Sequence, residues 1–155
     1  MTAPTAVDAV LAYCLALTVP SAEAILDELP TTAQSFTDFV LVGDDGDPAA
    51  AESDSGSSSL TRAACEPASR NEEGVVILAV VSQSGRSDTG DLAAARAASL
   101  ATLTELVDAL GVDQTLGGAV SDSWVAAIET AQGRTQKGAY VRRVVTLAFE
   151  RLVDE

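Results

Sequence analysis

The residues that could perform chemistry are limited by one absence, because the 155-residue sequence contains no histidine. Histidine is the commonest general base, the usual partner of a nucleophilic serine and a frequent zinc ligand. An enzyme built on this sequence would therefore depend on paired carboxylates, a lysine or a cysteine. None of these groups stands in a catalytic pattern, so the sequence predicts a non-enzymatic protein with no cofactor and no metal site.

The densest acidic cluster is Asp44, Asp45 and Asp47, within GDDGDP. A calcium-binding loop places oxygen ligands at alternate positions ahead of a glycine turn. Counted from Asp44, Gly46 occupies the second ligand position, and counted from Asp45, Ala49 occupies the third. The spacing therefore favours a solvated turn over a cation site.

A second candidate is the loop GRSDTG at 85–90, between a predicted strand and a predicted helix. A phosphate-binding loop of the Walker type continues with Lys and then Ser or Thr. Asp91 and Leu92 stand at those positions, and a carboxylate repels phosphate. The segment is therefore predicted to be a helix-capping turn, with Ser87 or Asp88 as the cap.

The two cysteines do not form a disulfide framework, which favours synthesis in a reducing cytosol. Cys14 lies on the apolar stripe of the first predicted helix and is expected to be a packed thiol. Cys65 lies in a polar segment near Arg62 and Arg70, with no general base beside it. Neither cysteine is predicted to be a nucleophile.

Charge is distributed unevenly along the chain. The net charge is -14, which argues against nucleic-acid binding because phosphate contacts need clustered Lys and Arg. Most of the basic residues nevertheless fall near the C-terminus, at Arg134, Lys137, Arg142, Arg143 and Arg151. These five residues are candidates for a subunit interface in which a basic edge meets an acidic edge. The alternative is that a hairpin tip and strand ends simply carry solvated charges.

Neither a membrane span nor an exported leader is predicted. No stretch approaches the roughly 20 apolar residues of a spanning helix. The Ala- and Leu-rich N-terminus has no positive residue before its apolar run and contains Asp8. A signal peptide is therefore rejected.

Periodicity predicts two helices separated by strands. Helical spacing of apolar residues predicts a helix over 5–17, begun by a Thr5 cap, and a longer helix over 91–110 that ends at Gly111. The longer helix should bury the stripe Leu92, Leu100, Leu103, Leu106, Val107 and Leu110. The segment 22–29 is ambiguous between a strand and a short helix.

Four strands are predicted around these helices. They cover 36–42, 74–82, 120–130 and 139–152, the last two joined as a hairpin by GRTQKG. The 74–82 strand is apolar on both faces, as a central strand is. Alternation predicts buried faces comprising Val120, Trp124, Ala126 and Ile128 in the third strand and Val141, Val145, Leu147 and Phe149 in the fourth.

The segment 44–72 interrupts this pattern because it is rich in Ser, Asp, Ala and Gly and has no periodicity. It is predicted to be a long flexible loop or an arm that becomes ordered against a partner. The complete prediction is one domain over 1–155 of the α+β class. A mixed or antiparallel β-sheet is flanked by an N-terminal helix and one long helix, with a long polar loop.

The order of these elements, with several local phrases, resembles the tail terminator proteins of long-tailed bacteriophages that infect actinobacteria. The similar pieces are the N-terminal helix, FVLVGDDG at 39–46, the strand and long helix at 75–110, LGGAV at 116–120, and the closing hairpin with QKGAYVRRVVTLAFER at 136–151. They span nearly the whole chain, and the resemblance lies in their order and spacing around the long helix.

The resemblance implies a structural virion protein, made in the host cytoplasm and located in the neck or tail of the particle. Such proteins form a ring of about six copies that ends polymerisation of the tail tube. The implied partners are other copies of the chain, the tail tube protein and the head–tail connector or stopper protein. DNA would pass through the lumen without specific binding. The alternatives are another neck or head-completion protein and, from a different class, a ligand-binding or regulatory module of an acidic bacterial proteome.

Overall fold

A computed structural model describes residues 6–27, 38–43, 56–62, 69–84, 92–135 and 138–154 of the chain. Within these ranges the elements are α1 (Ala6–Leu15), β1 (Ala24–Leu26), β2 (Asp38–Val42), β3 (Gly56–Arg62), β4 (Ser69–Ser84), α2 (Leu92–Val112), β5 (Asp122–Thr135) and β6 (Gly138–Asp154). The predicted α+β class is confirmed, with an N-terminal helix and one longer helix beside a mixed sheet.

The strands of the sheet are ordered β1-β2-β4-β6-β5, and β3 pairs with the first half of β4. All the described pairings are antiparallel except that of β1 with β2. The ambiguous segment 22–29 therefore contains a short strand. The long strands β4 and β6 are paired from Ser69–Asp154 to Ser84–Ala139 and form the centre of the sheet.

Both helices contact β4, and their buried side chains share one core with one face of the sheet. Val10 and Cys14 of α1 and Leu106 of α2 join Val76 and Leu78 of β4 in this core. The prediction that β4 is apolar on both faces is confirmed, because a second cluster lies on the opposite face and contains Phe39, Leu41, Ala79 and Val81. The buried face predicted for β6 is also confirmed, with Val141, Val145, Leu147 and Phe149 all buried.

The buried stripe of α2 departs from the prediction most at Leu100, and Leu92 and Val107 are only half-buried. Leu103, Leu106 and Leu110 are buried, but Leu100 is 52% exposed. Ser99, the preceding residue, is buried against the sheet instead. Successive residues of a helix are about 100° apart around its axis, so Ser99 and Leu100 cannot both face the sheet. The prediction for Leu100 is therefore wrong, and a leucine remains on the surface beside the sheet.

The end of α2 also differs from the prediction. Gly111 lies inside the helix, which ends at Val112, and the following turn is organised by the Asp113 carboxylate. The Thr115 hydroxyl and the backbone N–H groups of Gly117 and Thr115 donate to this carboxylate and hold the pKa of Asp113 below its usual value. The turn then places Leu116, which has a positive φ of 52°, in the core.

The prediction of a continuous loop over 44–72 is wrong in two places. Residues Gly56–Arg62 form β3, and Ser69–Glu72 already belong to β4. The sequence GSSSLTR is poor in apolar residues, but the ladder with β4 satisfies backbone hydrogen bonds whatever the side chains are. Residues 44–55 and 63–68, with Cys65 and the acidic cluster, lie outside the described residues, as do Thr5 and the 85–90 loop.

A buried ion pair connects α1 to the sheet. Glu72 of β4 lies directly opposite Arg151 of β6 in the ladder and is completely buried. Its Oε1 accepts a hydrogen bond of 2.6 Å from Arg151 Nη2, and its Oε2 accepts one of 3.2 Å from the backbone N–H of Ala6. A carboxylate beside the first residue of a helix accepts a hydrogen bond from a backbone N–H that has no partner inside the helix. Glu72 therefore joins three elements.

Cys14 is buried in the core, as predicted, and burial raises the pKa of its thiol from 9.0 to about 12. Between these values the unfolded chain loses the thiol proton while the folded chain keeps it. The free energy of unfolding should therefore fall as pH rises above about 9, by up to about 1.4 kcal/mol per pH unit. Urea unfolding of the unaltered chain and of Cys14→Ala over this range measures the effect, and equal pH dependence of the two proteins would contradict it.

Candidate functional site

The most distinctive surface of the described chain is the open edge of the sheet formed by β5. This strand has 14 residues, and its single strand neighbour within the described ranges is β6. An exposed strand edge presents unpaired backbone N–H and C=O groups that a second chain can bind. Long edges of this kind are usually protected by prolines, lysines or bulges.

A β-bulge divides β5 into two halves. Val125 pairs with Leu147 and Ala127 pairs with Thr146, so Ala126 is an extra residue on β5. Each residue that follows the bulge therefore lies on the opposite face from the one that strict alternation predicts.

The bulge places two large apolar side chains on opposite faces of β5. Trp124 pairs with Ala148 and lies on the face away from the helices, whereas Ile128 pairs with Val145 and lies on the helix face. Trp124 is 46% exposed and Ile128 is 45% exposed. The prediction that Trp124 and Ile128 are core residues on one face is therefore wrong. Val125, which the alternation placed outside, packs against the core instead.

A shallow apolar depression adjoins this edge. A cavity of about 220 Å³ lies between the end of α2 and the first half of β5. It is lined by Val107, Leu110, Gly111, Gln114, Ser123, Trp124, Val125 and Leu147. The Ser123 hydroxyl already donates to the Gln114 carbonyl at 2.7 Å. The cavity is smaller than the roughly 300–1,000 Å³ typical of small-molecule sites, so it fits an apolar side chain of a partner better than a free ligand.

The three predicted interface residues whose side chains are described, Arg142, Arg143 and Arg151, do not form one patch. Arg142 and Arg143 are neighbours on β6, so their side chains lie on opposite faces of the sheet. Arg151 is bonded to Glu72 at the far end of the same strand. Arg134 belongs to β5 but its side chain is not described, and Lys137 lies outside the described residues.

Arg143 has an intramolecular role. Its Nε donates to Ser99 Oγ at 2.8 Å, and its Nη2 donates to the carbonyl of Arg96 at 3.3 Å, both on α2. Its Nη1 donates to Thr130 Oγ1 on β5 at 3.2 Å. Arg143, which belongs to β6, therefore connects α2 and β5 through its hydrogen bonds. An Arg143→Glu substitution would disturb the subunit itself, so it is a poor probe of contacts between subunits.

The described residues contain no group of three or more acidic or cysteine side chains arranged to hold a metal ion. Within the same ranges, no helix is long and apolar enough to cross a membrane. Comparison of the chain with protein-family models and with curated proteins finds no match.

Sequence reasoning missed Leu100, Trp124 and Ile128 as surface residues. Leu100 lies on α2 between Arg96 and Val107, at helical spacings that place all three on one side of the helix. Arg96 Nε donates to Gln132 of β5 at 2.9 Å, and Val107 and Val125 line the same cavity. Leu100 therefore lies on the side of α2 that is nearest to β5. No sequence signal marks the bulge that exposes Ile128.

Proposed function

We propose that the chain is a structural subunit that assembles with copies of itself into a closed ring. The observation that supports this most directly is the apolar open edge of β5, a surface suited to binding protein. An open strand edge that carries exposed large apolar side chains is typical of protein–protein contact sites. The residues that carry the surface have no acid–base or nucleophilic chemistry.

The particular ring we propose is the tail terminator of a long-tailed bacteriophage, on the basis of the resemblance in the order of elements. In that role the ring ends the tail tube and binds the tube protein on one side and the head–tail connector on the other. A net charge of -14 is compatible with a lumen through which DNA passes, because like charges limit adhesion. Another neck or head-completion protein would use the same ring-forming surface with different axial partners.

The test of ring formation is native mass spectrometry with electron microscopy of the purified full chain over a range of concentrations. The expected result is a closed oligomer of about six copies. The test of the terminator role is a structure of the neck of a virion that carries the chain, where the ring should cap the head-proximal end of the tail tube. A position elsewhere in the particle would contradict the terminator role, and absence of a ring in both experiments would contradict the structural role.

A further inference from the structure

We propose that β5 of one copy pairs with the open edge of β3 in the next copy, which joins the two sheets into one. This inference rests on the proposed ring-forming function and adds which two surfaces meet. Among the described strands, β3 has one strand neighbour, β4, as β5 has only β6. Within the described ranges, the sheet is bounded by β5 on one side and by β3 and the three-residue β1 on the other.

Two large apolar side chains of β5 are exposed on a strand that has one strand neighbour within the described ranges. An edge strand with one solvated face usually alternates apolar and polar residues, whereas a strand covered on both faces does not. Here Trp124 on one face and Ile128 on the other are each almost half exposed. A second sheet edge placed against the first half of β5 would cover part of the Trp124 side chain.

Strand length favours β3 of a neighbouring copy over β1 as the partner, because β3 has seven residues and β1 has three, and the direction of β3 suits the pairing. Since β3 is antiparallel to β4, β4 to β6 and β6 to β5, β3 runs antiparallel to β5. Rotation about an axis parallel to the strands keeps these directions, so β5 meets the next copy's β3 as an antiparallel pair. The contact is heterologous and leaves one open β3 and one open β5 at the ends, as a closing ring requires.

The two edges also lie at the same height in the sheet. Ser58 of β3 pairs with Gly74, Gly74 pairs with Phe149, and Phe149 pairs with Ser123 of β5. The first half of β5 is therefore level with β3, and neighbouring copies need no large axial displacement to pair.

Pairing of β5 with β5 of a second copy would instead close into a dimer and leave β3 open, which cannot propagate a ring.

The test is cross-linking of cysteines placed on the two edges. Ser57, opposite Val75, and Ala127, opposite Thr146, occupy the same face of the sheet by register. Each is replaced by cysteine, singly and together, in a full-length Cys65→Ser background, and Cys14 is retained because it is buried. A short bismaleimide is added and the products are separated by denaturing electrophoresis.

The expected result is a ladder of cross-linked species for the double variant Ser57→Cys/Ala127→Cys. A mixture of the two single variants should give dimers and nothing larger, and each single variant alone should stay monomeric on the gel. Cross-linked dimers from Ala127→Cys alone would overturn the proposal in favour of β5–β5 pairing.

Native mass spectrometry of the same samples distinguishes failure of the β5–β3 contact from failure of self-assembly. Oligomers without cross-links in the mixture would overturn the β5–β3 contact and leave ring formation intact. Monomers in every sample would overturn both the contact and self-assembly of the purified chain.

Discussion

Replacing Glu72 by alanine is expected to lower the free energy of unfolding by about 3–5 kcal/mol, because it leaves a largely buried guanidinium without its carboxylate. The side chain of Arg151 is 23% exposed and that of Glu72 is 0% exposed, so solvent replaces the lost contact poorly. The same substitution removes the acceptor of the Ala6 N–H at the start of α1. Chemical unfolding followed by circular dichroism measures the change.

A double-mutant cycle separates the ion pair from side-chain volume. The matched control is Glu73→Ala, one residue further along β4, where the side chain is exposed, with an expected cost below about 1 kcal/mol. The double variant Glu72→Met/Arg151→Met should be more stable than either single Met variant, because apolar side chains of similar size replace both charges. A cost for Glu72→Ala no larger than that for Glu73→Ala would show that the buried pair does not hold α1 on the sheet.

Leu103→Ala is expected to destabilise the chain by about 2–5 kcal/mol, through loss of buried apolar area and the cavity that remains. Leu103 is 7% exposed and packs in the core with Val76 and Leu78 of β4. This confirms the sequence-based expectation that the helix and the central strand share a core. Thermal or urea unfolding gives the change in stability.

The matched control for Leu103→Ala is Leu100→Ala, the same substitution less than one helical turn away. Because Leu100 is 52% exposed, its truncation should cost about 1 kcal/mol or less in the isolated subunit. Equal costs at the two positions would contradict the orientation of α2. If Leu100 contributes to the apolar edge surface, its truncation should weaken self-association more than folding.

The structure changes how the basic C-terminal residues are understood. Their clustering in sequence suggested one charged interface, but Arg143 and Arg151 bind groups within the same subunit. A guanidinium supplies several donors in a fixed plane and is suited to joining elements. Charge segregation along a chain is therefore a weak guide to an interface when the strand that carries the charges is central in the sheet.

The sequence by itself determined the elements whose side chains repeat without interruption. Alternation in β6 identified Val141, Val145, Leu147 and Phe149 as one buried face, and the two-sided apolar character of β4 identified a central strand. The helical spacing around Cys14 and Leu103 placed both residues in the core correctly. In each case the apolar residues repeat about every two or 3.6 positions, and this spacing identifies the face that packs in the core.

Tertiary structure alone decided the features that depend on a neighbouring strand. The bulge at Ala126 is a feature of the register between β5 and β6, and it turns Ile128 to the opposite face from Trp124. The serine-rich segment forms β3 because its backbone pairs with β4, and its own composition does not predict this pairing. The buried carboxylate of Glu72 is paired with Arg151, which is 79 residues away in sequence, so no local pattern could pair the two. Local periodicity records which face is apolar, but register, edges and buried charge pairs depend on residues that only the fold brings together.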